Sequence, residues 1–481
     1  MNKLPELIFN TSREGKTGYS FSETEFSDDL TALDQEHRRE NIEDFPQLSE
    51  VEIVRHYTNL SHLNHSVDSG FYPLGSCTMK YNPKINEKIA SFEEFSAHPY
   101  SPLKRVQGNL EIIKTLEEWL INITGMAGFT MAPSAGAHGE FVGMKIIRLF
   151  LSSKGYPRKV VLIPDSAHGT NPASAHFAGY EIKEIPSDKN GIIDVGTLKE
   201  HLNEEVAALM MTNPNTLGIF EKNIVEISEV LHENGSLLYM DGANMNAFMG
   251  IVKPGDLGVD VLHLNLHKTF STPHGGGGPG AGPIGVTKEL LKHLPVPLVS
   301  SSGEDEEYQV SYFNRGIGRV KNFYGNFLVM VRALVYLMAL GKENLRKVAE
   351  DSVLNANYIR KGLQDHLDLP YTSKTFHEVV FSDKGLNVKT LDIAKRLLDF
   401  GIHPFTVYFP LIVHGAMMIE PTETESKQSL DEFIQAMKTI LKEAKEDPEK
   451  LKNAPFNTPV TRLDEVYAAR QLKVKWEREG E

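Results

Sequence analysis

The sequence predicts an α/β protein with a large domain built on a mainly parallel sheet and a smaller α/β domain after it. Three observations carry this expectation. Between about residues 105 and 290, short apolar runs (Val160 to Ile163, Val206 to Met211, Leu237 to Met240, Val259 to Leu266) alternate with helix-length segments, the pattern of βαβ units. Beyond about residue 345, helical periodicity over Leu345 to Leu363 and Leu430 to Lys445 surrounds strand candidates such as Glu378 to Ser382. The length, 481 residues, exceeds the roughly 250 to 300 at which one hydrophobic core stops growing.

Three segments follow in chain order. Residues 1–104 are expected to form an N-terminal arm and extension. Their first half is polar and charged, especially Glu23 to Asp44, and Pro46 ends it, so an extended arm or short surface helices are expected there. Residues 105–340 form the large domain. Within it, Ile224 to Glu233 reads as a linking helix, and the Asn234-Gly235 that follows suits a left-handed C-cap. Phe327 to Leu340 is the longest apolar region; Arg332 interrupts it and it falls short of the roughly 20 residues that span a bilayer, so it reads as a buried helix at a domain junction. Residues 341–481 form the small C-terminal domain. No internal repeat and no low-complexity linker is present.

Composition narrows the function classes. Hydrophobic residues at 41% and charged ones at 24% are ordinary for a globular enzyme or assembly subunit. A net charge of −14 would repel a phosphate backbone, so nucleic acid is not an expected partner. The single cysteine, Cys77, excludes an internal disulfide framework and suits a reducing compartment. Met1 to Lys16 lacks the apolar stretch of a secretory signal, so the protein is expected in the cytoplasm, with no membrane association.

In doubly wound sheets ligands gather at the carboxyl ends of strands, so the residues just after each apolar run are the informative ones. Leu237 to Met240 runs straight into Asp241-Gly242-Ala243-Asn244, and the strict alternation Leu262 to His267 ends in Lys268. One connection of βαβ or hairpin length separates Asp241 from Lys268, so both can face one pocket. Pyridoxal phosphate (PLP) needs such a pair: a lysine to form an imine with the aldehyde, and a carboxylate to hold the pyridine nitrogen protonated. A lysine after a strand is by itself most often a solvated surface charge; Asp241 is what raises the PLP reading.

Three further strings fit the same ligand. Ala132 to Glu140 is rich in small residues and precedes a helix-like run, so backbone N–H groups at the helix start can meet a phosphate; an ordinary turn and cap is the plain alternative. Asp165 to Ser174 follows a strand and carries His168, which can stack flat on an aromatic cofactor, although a structural histidine is commoner. Gly275 to Gly278 offers a flexible loop after Lys268. His62, His65 and Cys77 lack the pair spacing of zinc motifs, so no metal is expected. Arg315 and Arg462 are candidate anion binders, but an ion pair is the commoner fate of either.

Taken together, six strings in order resemble the P-protein family of the glycine cleavage system, the glycine dehydrogenases (decarboxylating), and within it the chains that form subunit 2. They are Tyr72 to Pro83, Asp165 to Ala175, Thr212 to Gly218, Leu266 to Gly275, Met418 to Glu425 and Asn457 to Glu465. The resemblance implies the aspartate-aminotransferase-like PLP fold, fold type I. It implies Lys268 as the imine lysine and catalytic residue, Asp241 at the pyridine nitrogen and His168 against the ring. Ala135, Gly136 and Ala137 would lie at the phosphate, with Ala243 and His267 as further cofactor neighbours. Thr212 or Asn213 would reach the phenolic oxygen, a choice left open. Ser134-Ala135 stands where longer P-proteins often carry Asn-Ser, which leaves backbone contacts at the phosphate.

The same resemblance implies an oxidoreductase that decarboxylates glycine and transfers the aminomethyl group to the lipoyl arm of the H-protein, the lipoyl disulfide being the electron acceptor. It implies a separate subunit 1 and an α2β2 heterotetramer. Two rivals are weaker. A cysteine desulfurase of the same fold needs a mobile nucleophilic cysteine, and Cys77 lies in the N-terminal string instead; a non-catalytic scaffold would lack Lys268 or Asp241, and both are present.

Overall fold

Seven strands form the central sheet: β1 (Gly128–Thr130), β2 (Val160–Pro164), β3 (Glu181–Ile185), β4 (Val206–Thr212), β5 (Leu237–Asp241), β6 (Val261–His263) and β7 (Ile284–Val286). Their order is β1-β7-β6-β5-β4-β2-β3, and only β7 runs antiparallel to its neighbours. In this computed structural model the described residues are 4–18, 22, 34–39, 42, 44–274, 280–301, 307–313 and 316–477. The expected glycine loop Gly275 to Gly278, Arg315 and much of the charged stretch Glu23 to Asp44 lie outside them.

The near-continuous apolar character of the strands follows from burial on both faces. Their period-2 alternation sends Leu209, Met211, Leu238, Met240 and Leu262 into one core, with the helices Gln107–Thr124, Ile224–Glu233 and Phe327–Leu340. Ala208, Met210, Tyr239 and Val261 enter a second core, with the helix Gly136–Ser153. Helix Ile224–Glu233 spans its predicted residues, and Gly235 just beyond it has φ +71°, the left-handed region a glycine enters without penalty. Phe327–Leu340 is helical as predicted. One face is buried, but Leu328 and Met338 are exposed, so it is amphipathic rather than wholly internal. Among the described residues no helix is long and apolar enough to cross a membrane.

The predicted strand Val259 to Leu266 is much shorter, only Val261–His263. Beyond it the chain still pairs loosely, Leu264 N–H donating to Pro283 O (3.0 Å) and Leu266 N–H to Ala281 O (3.1 Å). Pro283 has no N–H to return, which interrupts the ladder. Residues 266–270 then turn, so Lys268 sits in a turn beyond the strand end and not at the strand tip.

β8 (Leu298–Ser300) and β9 (Gln309–Ser311) form a separate antiparallel pair. A three-stranded antiparallel sheet follows, β10 (Val379–Ser382), β11 (Thr406–Val407) and β12 (Ala416–Ile419), in the order β10-β12-β11. Helices Leu345–Leu363 and Lys427–Glu446 pack on it through Ile359, Phe433 and Ile440, which share a core with Phe381 and Met417.

Contacts group the chain into two units, Phe71–Ala454 and a second made of Met1–Gly70 with Pro455–Glu481. The three-part division at 104 and 340 cuts across this grouping, since residues 71–104 fall with the sheets and 455–481 with the N-terminal residues. In the second unit the helix Glu50–Ser61 starts at Ser49, whose N–H donates to Glu52 Oε2 at 2.9 Å, and Phe9 stacks on Trp476 at 4.5 Å.

Candidate active site

Three neighbouring strands end in one row. The parallel register pairs Thr212 of β4 with Asp241 of β5 and Asp241 with His263 of β6, so their side chains leave the same face at adjacent positions. Asp241 is fully buried. Its Oδ1 lies 3.2 Å from His263 Nδ1 and accepts from Ala243 N–H (3.0 Å), and its Oδ2 accepts from Asn171 Nδ2 (2.9 Å). Burial works against the charge, but the His263 field and hydrogen bond, helped by His168 and Asn171, hold the carboxyl well below the usual carboxylate range. Thr212 Oγ1 donates to Asn171 Oδ1 (3.1 Å) and accepts from His168 N–H (2.9 Å), so the hydroxyl is spent on fixing its neighbours.

The His168 ring is half-buried and meets the edge of Phe409 at 5.8 Å. Burial lowers its pKa, the Lys268 charge lowers it further and Asp241 opposes them, which places His168 within reach of both. Lys268 itself is buried, and its Nζ makes no hydrogen bond or ion pair among the described residues. His267 beside it has a buried Nδ1 without a partner; burial and then the Lys268 charge push its pKa down to about 3, so the ring is neutral. His274 stands edge-on to His267 at 5.2 Å and is held by its Nε2 against Cys77 O (2.9 Å).

The helix Gly136–Ser153 begins at Ala135 with no side chain capping it, which leaves its first N–H groups for a ligand. Gly136 lets the Asn265 amide pack closely there: a Cβ would lie 3.0 Å from both of its ends. Ala137 is exposed, whereas Ala135 and Gly136 are half-buried. Asn213 continues the β4 tip: its Oδ1 accepts from Glu221 N–H (3.0 Å), while its Nδ2 is buried with no partner among the described residues.

A buried lysine with a free amine, a buried charged aspartate and an uncapped helix start form a donor set that suits PLP. Comparison with known proteins identifies the family. The profile of the aminotransferase class-V family matches residues 147–364, and that of the glycine dehydrogenase C-terminal domain matches residues 348–458. A protein of Kosmotoga olearia named probable glycine dehydrogenase (decarboxylating) subunit 2 is 54% identical, covering 98% of this chain and 99% of its own. This chain belongs to the glycine dehydrogenase (decarboxylating) subunit 2 family. Family members of the same name from Pyrococcus furiosus (54% identical, 98% of this chain, 95% of that one) and Staphylococcus haemolyticus (53%, 99% and 98%) agree.

Among solved structures, the inhibitor-bound glycine decarboxylase (P-protein) of the glycine cleavage system superposes with a TM-score of 0.73 at 21% identity, over 85% of this chain and 94% of that one. A Burkholderia pseudomallei sphingosine-1-phosphate lyase reaches 0.60 at 13% identity, over 85% and 95%. At such identities the likeness establishes the fold, which is fold type I, as the resemblance implied.

Residues that sequence reasoning did not single out lie near Lys268 and Asp241. Glu378 and Glu420 are fully buried; burial raises both carboxyl pKa values, most strongly for Glu378, where the Glu420 charge adds to it, and hydrogen bonds and the Lys268 charge only partly oppose the rise. Glu420 accepts from Asn244 Nδ2 (2.6 Å) and from Thr78, and Glu378 Oε2 accepts from Ser76 N–H (3.0 Å). Lys80 is buried, bonds Thr269 O (2.7 Å) and pairs with Glu423. Six of these, Ser76, Thr78, Lys80, Thr269, Glu420 and Glu423, lie inside the recognised strings, but no local rule brings them together. His263 was legible only as one member of the alternation that also contains Asn265, to which its Nε2 is bonded at 2.9 Å.

Proposed function

We propose that this chain is the cofactor-bearing subunit of a PLP-dependent glycine decarboxylase that passes the aminomethyl group to the lipoyl arm of the H-protein and releases CO2. The observation that carries this reading is the buried amine of Lys268, without a partner among the described residues, together with the buried, ionised Asp241, both of which act on the His168 ring between the strand ends. PLP, when bound, supplies an electron sink for the bond broken at the glycine Cα. Lys268 would hold the cofactor through its buried amine. Asp241 would keep the proton on the ring nitrogen. His168, Ala243 and His267 would line the ring, and the helix start at Ala135, Gly136 and Ala137 would take the phosphate.

For the phenolic oxygen we choose Asn213, because its Nδ2 is buried without a partner whereas the Thr212 hydroxyl already serves Asn171 and His168. Residues 105–340 provide the cofactor face, and the part beyond 340 closes it with Glu378 and Glu420. Subunit 1 completes an α2β2 assembly in the cytoplasm, with lipoylated H-protein as the acceptor and glycine as substrate.

Visible absorbance of the PLP-soaked protein, wild type beside Lys268→Ala with and without borohydride, tests the cofactor and lysine together. A band fixed covalently only in wild type is expected; no band in wild type, even with subunit 1 present, overturns the reading. Co-expression of both subunits and size-exclusion chromatography tests the assembly, and absence of a complex rejects it.

A further inference from the structure

We propose that His263 is a positioning residue, an imidazolium clamped between Asp241 and Asn265 that keeps the strand-tip carboxylate charged and aimed. The inference rests on Asp241 serving the cofactor's ring nitrogen. His263, Asp241 and Glu140 are all buried, at 1%, 2% and 3% exposure. The ring's Nδ1 lies 3.2 Å from Asp241 Oδ1 and its Nε2 lies 2.9 Å from Asn265 Oδ1. Oxygen atoms face both ring nitrogens, and the cation, with two N–H donors, satisfies both at once.

Charge balance leads to the same state. One carboxylate oxygen each of Glu140 and Asp241 and one ring nitrogen of His263 lie within 4.8 Å of one another. Glu140 is otherwise bonded to the Thr170 and Ser174 hydroxyls, and Asp241 to Asn171 and the Ala243 N–H, all neutral donors. With a neutral ring this trio would hold two carboxylates and no cation, a costly arrangement in a dry interior. Burial opposes the ring's charge, but the Asp241 field and hydrogen bond, with Glu140, keep its pKa above the ordinary value.

The clamp also joins the two ends of the cofactor site. Asn265 packs on Gly136 in the first turn of the helix assigned to the phosphate, so one His–Asn pair sets the strand tip and the helix start relative to each other. Without the cation, burial would favour a protonated Asp241, which cannot hold a proton on a ring nitrogen.

Difference infrared spectroscopy of the cofactor-free protein tests this without the reaction. His263→Phe and His263→Asn should each gain a carboxylic-acid C=O band that disappears when Asp241→Asn is added. His263→Asn keeps a polar group of smaller size and serves as the second variant if the phenylalanine protein does not fold. PLP titration of His263→Asn should give affinity about ten- to a hundredfold weaker, the cost of one charge-assisted hydrogen bond. A folded His263→Asn protein with no new band overturns the proposal. A new band with unchanged PLP affinity upholds the hold of His263 on Asp241 and instead rejects the placement of Asp241 at the ring.

Discussion

Thr78 and Glu420 are joined by two hydrogen bonds, the Thr78 N–H to Oε2 at 3.0 Å and its hydroxyl to Oε1 at 2.8 Å. Through them the string Tyr72 to Pro83 closes over the string Met418 to Glu425, two segments at opposite ends of the chain. The same glutamate takes Asn244, three residues past Asp241, so the closure reaches the sheet. Thr78→Val keeps the shape and removes the hydroxyl donor from a buried carboxylate. It should cost about 1–3 kcal/mol, read as a lower denaturant midpoint with an unchanged slope.

Asp241→Asn keeps the size of the side chain and removes its charge. Glycine decarboxylation by the assembled enzyme should fall by about 10²–10³-fold, the scale of losing one preorganised electrostatic group. Steady-state rates with saturating PLP check this, and an activity within a few-fold of wild type would remove Asp241 from the reaction.

His267 and His377 are each pushed down to about 3, by burial first and the Lys268 charge second. Both folded values lie below the unfolded histidine value of about 6.5, so the unfolded chain binds more protons between them. The stability they contribute is present above about pH 6.5 and is lost as pH falls toward 3. Urea unfolding of the cofactor-free protein should show midpoints falling steadily from pH 7 to pH 5. The double variant His267→Asn, His377→Asn should flatten that slope, and an unaltered slope would contradict the assignment.

Gly280 lies against His267. A Cβ there would sit 1.9 Å from the ring's Nδ1, so Gly280→Ala must displace the imidazole that lies next to Lys268. Overpacking of this kind costs about 1–3 kcal/mol. The variant should melt several degrees lower and bind PLP more weakly, as thermal unfolding and PLP titration would record.

By itself the sequence determined the periodicities. The short apolar runs Val206 to Met211 and Leu237 to Met240 pointed to strands, and the periodicity of Leu345 to Leu363 to a helix, because hydrophobic pattern is a local property. It also pointed to Asp241 and Lys268, since a polar group placed just after an apolar run is visible without coordinates. Tertiary structure decided what depends on pairing. The register of β4, β5 and β6 set Thr212, Asp241 and His263 side by side, and the missing N–H of Pro283 ended β6 early and left Lys268 in a turn. Glu378 and Glu420 came within the field of Lys268 only because segments far apart in sequence, around Ser76 to Thr78 and around residues 378 and 420, bond to one another. Such contacts are fixed by packing and hydrogen-bond satisfaction across the fold, which no local pattern encodes.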